Sequence, residues 1–418
     1  MTLLQERILI NFPSYLIVLL PASLISGPFL SDLSVILIGV FFLINVLLKK
    51  EYNYFKNKFT IIFVIFTLYL FINSLINYYD IHSIRSSLGY LRFGLFSLGV
   101  FYFLGKKKEI INWLFISFIV CYSLLIFDGY YQYFNKVSFF LELESHGSGR
   151  ISSLFGSELI LGSYLSRLFP IFLGITFYLY KEKNSILFLI SFIFILIEVL
   201  IFLSGERASF FFNTLAAIYV IIMIKDFKKI RLFSFLISIV IIIFISNFDN
   251  AAKKRIVDET IDQMGLTSEK KHVFSSVHEG HYLSAYKMFL DNKILGIGVR
   301  NFRNFCNEDR YKVNERSCTT HPHNTYVQFL SETGLIGFVF IIFIFIFFIK
   351  ISLKHLLGAI TKNKYYFNDF EICMLSAILI SLWPFVPTGN FLNNWVSIVY
   401  YYPVGFLLWS LNKRAVIS

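Results

Sequence analysis

Charge is scarce in this chain. Only 15% of its 418 residues are Asp, Glu, Lys or Arg, whereas an average soluble domain carries about a quarter. The shortage excludes an ordinary soluble fold. The sequence also lacks the usual marks of a zinc site. It has no Cys-x-x-Cys pair, and His278-Glu-Gly-His281 does not have the spacing of a His-Glu-x-x-His helix, although five of the eight histidines fall within 272–323. No solenoid-type repeat and no low-complexity linker divides the chain. The first apolar run follows Arg7 without a convincing small-residue cleavage site, so it is expected to remain as a helix. Cysteine is limited to four: Cys121 and Cys373 sit in apolar runs, while Cys306 and Cys318 share the longest polar stretch and are disulfide candidates if that stretch is extracytoplasmic.

Apolar residues fill the gap. They make up 56% of the chain, with 51 Phe and 25 Tyr, and the mean hydropathy is +0.67. A membrane-crossing helix needs about 20 mostly apolar residues. Twelve segments qualify: 8–26, 28–48, 58–77, 88–104, 110–130, 159–180, 184–203, 208–224, 231–247, 325–349, 371–389 and 394–411. The fourth is interrupted near its start by Arg92. The expected fold is all-α, a polytopic integral membrane protein of about twelve transmembrane helices. Its parts would be 1–247 with nine spans, a polar loop domain at 248–324, and 325–418 with three more spans.

Orientation follows from Lys and Arg in the short connections. With a cytoplasmic N-terminus, Arg7, the clusters at 49–58, 106–108, 181–183, 225–231 and 350–364, and Lys413 and Arg414 place 20 basic residues inside. The short outer connections hold five: Arg85, Arg92, Lys136, Arg150 and Arg207. The segment 248–324 carries twelve basic and ten acidic residues, and long loops translocate largely regardless of charge. By parity it lies outside with Arg150, Arg207 and His323. The net charge of +12 is thus a topology signal rather than a nucleic-acid one.

The most specific motif is HPHNTYVQFLSETGLIG at 321–337. His323 and Asn324 are followed by nine residues, then Gly334 and Gly337, at the mouth of a long apolar run. This resembles the His-Asn, nine-residue spacer, Gly-x-x-Gly signature of the O-antigen ligase and O-antigen polymerase family. The resemblance covers the topology and three motifs within about 150–337. It implies a GT-C-like, all-helical membrane glycosyltransferase in the bacterial inner membrane, with a periplasmic helical loop capping a lateral cavity. The donor would be a glycan on undecaprenyl diphosphate. The acceptor would be another lipid-linked repeat unit in a polymerase, or lipid A-core in a ligase. Single displacement implies inversion, and arginines would stand where other enzymes use a divalent metal. No cofactor is expected.

The resemblance also assigns roles. LSGERASFF carries a Ser-Gly-x-Arg-like element, in which Arg207 would hold the lipid diphosphate with its planar fork. Read alone, Glu206–Arg207 is a surface pair worth little. Arg150, in GSGRISSLFGSELILGSYL, is either an interfacial arginine snorkelling to headgroups or, with Glu158, a substrate-binding residue. Glu158 and Arg167 lie in or beside an apolar run, where an ionised group is costly and usually faces a cavity or partner. Similar Arg…Phe-Gly-x-Glu stretches, and paired cysteines before the motif, occur in polymerase-like members. Many members carry an arginine near the start of the last loop helix. His278 and His281 stand nearest that place here, and Arg303 is the arginine that could take over in space. His323 can act as a general base near neutral pH, or as a cation steadying the diphosphate. His321 and Asn324 flank it as substrate-binding candidates. Gly334 and Gly337 are expected to let a neighbouring helix approach. A transporter of lipid-linked sugars is the competing class; it should carry charges deep in several spans, whereas here they crowd the outer face.

Cysteine labelling or reporter fusions at Asn250 and Thr320 test this topology. Both sites should report the periplasm, and cytoplasmic labelling at either one overturns the arrangement.

Overall fold

The structure is a computed structural model that describes residues 3–77, 79–145, 149–248, 253–264 and 276–417. Parts of the expected loop domain, including Asn250 and His272, lie outside the described residues. The chain is all-helical. The principal helices are α1 (Leu3–Ser26), α2 (Pro28–Lys49), α3 (Lys58–Ile76), α4 (Ile81–Gly89), α5 (Leu91–Lys106), α6 (Ile110–Asn135), α7 (Leu161–Tyr180), α8 (Asn184–Ser204), α9 (Arg207–Met223) and α10 (Lys228–Ser246). After the loop come α11 (Ser276–Asp291), α12 (Thr325–Lys362), α13 (Asp369–Ser381) and α14 (Asn394–Ile417). Among the described residues, eight helices are long and apolar enough to cross a membrane: α1, α2, α3, the joined α4–α5, α6, α8, α10 and α12. The chain is a multi-pass membrane protein.

Each of the twelve expected segments contains a helix, with informative differences at the ends. The segment 371–389 was read as one span, but α13 stops at Ser381. Pro384 and Pro387 follow, and residues 382–393 run without regular helix to the start of α14. Proline cannot continue the hydrogen-bond ladder, and it pushes the residue before it out of helical geometry. The fourth span begins early because α4 and α5 are nearly continuous. Arg92 is tolerated there because its guanidinium bonds Asp32 at 2.9 Å, Asn394 at 2.7 Å and the Gly89 carbonyl at 2.9 Å.

The two ends of the bundle differ in charge. At one end Lys106 pairs with Glu51, Lys181 bridges Asp226 and Asp369, and Arg414 reaches Glu371. The lysine clusters of the even-numbered connections are therefore together. The other end gathers the α8–α9 turn, the start of α12, residues 382–393 and the loop after α10.

The loop is locked to the bundle at a break in α12. Gly334 has φ +63° and ψ −160° inside that helix. Residues 293–298 are seated in the break. Ile297 N–H donates to the Ser331 carbonyl at 2.9 Å, Gly298 N–H to the Glu332 carbonyl at 2.9 Å, and Leu335 N–H to the Lys293 carbonyl at 2.8 Å. Asn73 on α3 donates to the Leu295 carbonyl at 2.6 Å. Helix carbonyls freed by the break are thus satisfied by the loop. The expected role of Gly334 in helix–helix approach is corrected: what comes close is the loop backbone. A Cβ at Gly334 would stand 2.3 Å from the Ile294 carbonyl oxygen, and one at Gly296 would stand 2.6 Å from the backbone of Glu332. Gly337 is crowded by Thr333 and Phe329 of its own helix.

Gly334→Ala should therefore cost at least about 1–3 kcal/mol from backbone strain alone, and the overlap with backbone cannot relax by a rotamer change. Thermal unfolding and protease sensitivity of residues 293–320 should both show it. Gly105→Ala, whose new methyl would meet only Tyr54 at 3.5 Å, should be near neutral.

Candidate functional site

Two groups of side chains meet at the loop-bearing end. The first is a set of arginines around the α8–α9 turn. The aliphatic stems of Arg150 and Arg255 both lie over Gly205, and Arg207 opens α9 two residues later. Arg207 Nη1 donates to Thr260 Oγ1 at 3.3 Å, Arg150 Nε to the Ser204 carbonyl at 3.4 Å, and Arg255 Nη1 pairs with Glu259 at 2.9 Å. Burial and the neighbouring Arg255 and Arg207 charges depress the Arg150 pKa, while Glu206 opposes them. Arg255 lies on a π-helical turn, Lys254–Asp258, a local irregularity frequent at functional sites. Sequence reading had sought the additional arginine at His278, His281 or Arg303. The residue that joins Arg150 and Arg207 is Arg255.

Buried polar contacts hold the segments that carry Arg150 and Arg207. Glu206, expected as a surface partner of Arg207, is buried and instead caps α7. Its carboxylate accepts from Gly162 N–H at 2.6 Å, Ser163 N–H at 3.0 Å and Ser209 Oγ at 2.9 Å. The segment bearing Arg150 is pinned from α6. Asp128 accepts from Phe139 N–H at 2.8 Å, Ser138 Oγ at 3.0 Å and Ser153 Oγ at 2.8 Å. Gln132 accepts from the backbone N–H groups of Ser152 and Ser153 at 3.1 and 2.8 Å. Asp128 was legible as a lone carboxylate inside an apolar run and went unused. Glu158 is exposed just before α7 begins, beside the apolar run rather than within it. Arg167 is buried within the bundle, stacked on Phe212 and Tyr400.

The second group is four histidines. The His323 ring lies 4.2 Å from His321, 5.4 Å from His281 and 5.6 Å from His278, centroid to centroid. His323 has φ +55°, an uncommon backbone state for a non-glycine residue. It is held by Thr388 N–H donating to its carbonyl at 2.9 Å. Its ring makes no hydrogen bond among the described residues, so both nitrogens are free for a ligand. His321 differs: Nδ1 meets Thr320 Oγ1 at 3.0 Å and Nε2 meets the Thr388 carbonyl at 3.3 Å. Asn324 is the N-cap of α12, accepting from Tyr326 and Val327 N–H at 2.9 and 3.1 Å and donating to the Pro384 carbonyl at 2.8 Å. Both were expected to bind substrate. In this structure their polar atoms bond to protein on either side of His323. Arg303 is exposed near His321, apart from the arginine set. Cys306 and Cys318 are joined in a disulfide in the same loop.

Burial, helped by the charge of His281, pushes the His323 pKa down to about 4. Burial also lowers His278 to about 4, with the charges of His323, His281 and Arg207 adding to it, and His321 to about 3. All three imidazoles are neutral at pH 7. His278 stands between Arg207 and His323 and joins the two groups. Among the described residues, no three His, Cys, Asp or Glu side chains are set to hold a metal ion.

Residues 190–342 match the family model described as O-antigen ligase. This segment is of the O-antigen ligase/polymerase family. The matched stretch includes Arg207, Arg255 and the four histidines but not Arg150. The match supports a ligase- or polymerase-type role for this segment. No curated protein matches the chain.

Asp128→Ala strands several buried donors and should cost about 2–4 kcal/mol, given about 1–3 kcal/mol for an unsatisfied group. The expected readout is faster proteolysis between residues 136 and 156, while Asp128→Asn, which keeps an acceptor oxygen, should be milder.

Proposed function

We propose that the protein is a metal-independent, inverting glycosyltransferase. It transfers a glycan from undecaprenyl diphosphate to a hydroxyl acceptor on the periplasmic face of the inner membrane. One observation carries this reading: three arginines share one side of a site whose other side is a neutral, unbonded His323. In the reaction the acceptor oxygen bonds to the anomeric carbon as the bond from that carbon to the diphosphate oxygen breaks. The acceptor proton passes to His323, and the negative charge builds on the leaving diphosphate. Arg150, Arg207 and Arg255 match that charge with planar, permanently protonated forks. The positive ends of α9 and α12 add to them. A low pKa makes His323 a base here; the cation alternative fits poorly in a buried site already rich in guanidinium.

The acceptor reading is a polymerase, adding the chain to another lipid-linked repeat unit. The Arg150 segment pinned by Asp128 and the disulfide before the motif support it. The matched family, described as O-antigen ligase, favours the second reading, a ligase, whose acceptor would be lipid A-core. The arginines and histidines gathered at the loop-bearing end favour an enzyme over a flippase.

Glycan-chain formation from a lipid-linked donor by purified variants tests the assignment. His323→Ala should lower transfer about 10²–10⁴-fold, the usual contribution of a general base. Arg207→Lys should lose about 10–100-fold, because it keeps the charge without the fork. A chelator should change nothing. Only the unprotonated imidazole accepts a proton, and burial lowers its pKa, so activity should persist to lower pH than for a free histidine. In kcat/KM the His323-dependent acid limb should lie near pH 4. A limb at about 6.5, the unperturbed value, or near-normal transfer by His323→Ala, would remove His323 from this role.

A further inference from the structure

The opposite, lysine-rich half of the bundle contains a narrow cavity of about 50 Å³ between α7, α8, α9 and α10. Its walls are apolar, with Phe169, Phe177, Phe194 and Val220 among them. Space is left because Ala216, Ala217, Ser191 and Ser234 face it from three helices and Pro170 interrupts α7. A groove of about 500 Å³ between α8 and α10 adjoins it, sharing Ser191, Ile230 and Ser234, with Lys229 on its rim; that is within the roughly 300–1,000 Å³ range of small-molecule sites. The cavity is therefore reached sideways, from between two helices.

Arg231 lines the cavity one turn into α10. Its Nη2 donates to the Ile224 carbonyl at 2.7 Å. Its Nε and Nη1 are buried and have no partner. The nearby carboxylates are occupied: Lys181 takes both Asp226 at 2.6 Å and Asp369 at 2.9 Å. Two guanidinium donors buried beside an apolar slot carry a desolvation cost unless an acceptor arrives. Lys225, Lys228 and Lys229 surround the same helix start. An acceptor-bearing head joined to an apolar chain satisfies both features. Basic pockets between transmembrane helices on the cytoplasmic side are known to take anionic lipid headgroups.

We propose that this cavity is a binding site for an anionic phospholipid of the leaflet at the lysine-rich end, with the phosphate on Arg231 and one acyl chain between α7 and α10. The site is separate from the arginine–histidine site and does not depend on the glycosyltransferase reading. Its occupant ties α10 to the bundle, where α10 otherwise packs mainly on α8 and presents much of its surface to lipid.

The experiment uses the full-length protein, purified and delipidated in detergent, titrated with phosphatidylglycerol. Native mass spectrometry and thermal shift are the readouts. A saturable complex and a rise in Tm are expected. Arg231→Gln should weaken binding by about tenfold or more, the scale of a charge-assisted bond to phosphate. Ala217→Leu fills the slot without touching the guanidinium and should weaken it as well, which covers the case in which Arg231→Gln unfolds. Lys50→Gln, a cation at the same end but outside the slot, should bind normally. Equal binding of phosphatidylglycerol by Ala217→Leu and the unaltered protein overturns the proposal. So does an equal shift with inorganic phosphate, or with phosphatidylethanolamine, since either removes the need for an anionic lipid. Displacement of phosphatidylglycerol by undecaprenyl phosphate at equal concentration would assign the slot to the polyprenyl tail instead.

Discussion

Residues 293–298 hydrogen-bond into the break of α12 at Gly334, and this join fixes where the loop stands over the bundle. The helix that carries the break begins at Asn324, immediately after His323. The segment seated in the break follows directly from α11, which carries His278 and His281. One backbone junction therefore sets the separation of three imidazoles coming from two distant parts of the chain. The geometry tolerates little slack: the positive φ at Gly334 and the backbone packed against its Cα leave no room for a side chain. The disulfide between Cys306 and Cys318 closes the remaining stretch of loop before the motif. A chain-entropy estimate for a loop of this size is about 3 kcal/mol.

The site divides its charge unevenly. Guanidinium groups stay protonated even when half-buried, so three of them can face one anion without titrating. Imidazoles respond to the same field by giving up their protons, and His278 feels Arg207 in this way. Arg207 thus helps burial to keep His278 neutral. Of the two groups of side chains, the arginines are of a type that does not exchange protons with its neighbours. Glu206, the carboxylate nearest Arg150, spends its hydrogen-bonding capacity on the N-terminus of α7 and Ser209, which leaves the guanidinium groups available.

Much of the fold was legible because lipid imposes a coarse rule. Backbone groups in a membrane must be bonded within the segment, so long apolar runs become helices. Lysine counts then sorted the two ends, and the ion pairs at the lysine-rich end agree with that sorting. The rule fails where a segment leaves the helix while remaining buried in protein. Residues 382–393 are apolar enough to read as membrane, yet they turn beneath His323. Thr388 bonds both the His323 backbone and His321 from there. Hydropathy responds to the solvent a segment avoids, and it does not distinguish burial in lipid from burial against a neighbouring loop.

The candidate site was legible wherever a residue type carried its chemistry locally. His323 stood out because a histidine, an asparagine and two glycines kept a fixed spacing; the asparagine proves to be a helix cap and the first glycine a docking point. Arg207 stood out because LSGERASFF resembles the family's Ser-Gly-x-Arg element; read alone it is a surface pair with Glu206. Arg255 did not, because it follows Lys253 and Lys254 in a long loop of mixed charge, where a basic residue is ordinarily solvated. Its importance comes from the π-helical turn that brings it over Gly205, and no spacing in one dimension encodes that approach. The same holds for Asp128: a carboxylate in an apolar run announces a partner, but only the folded chain shows that its partners are the backbone and hydroxyls of the segment that presents Arg150.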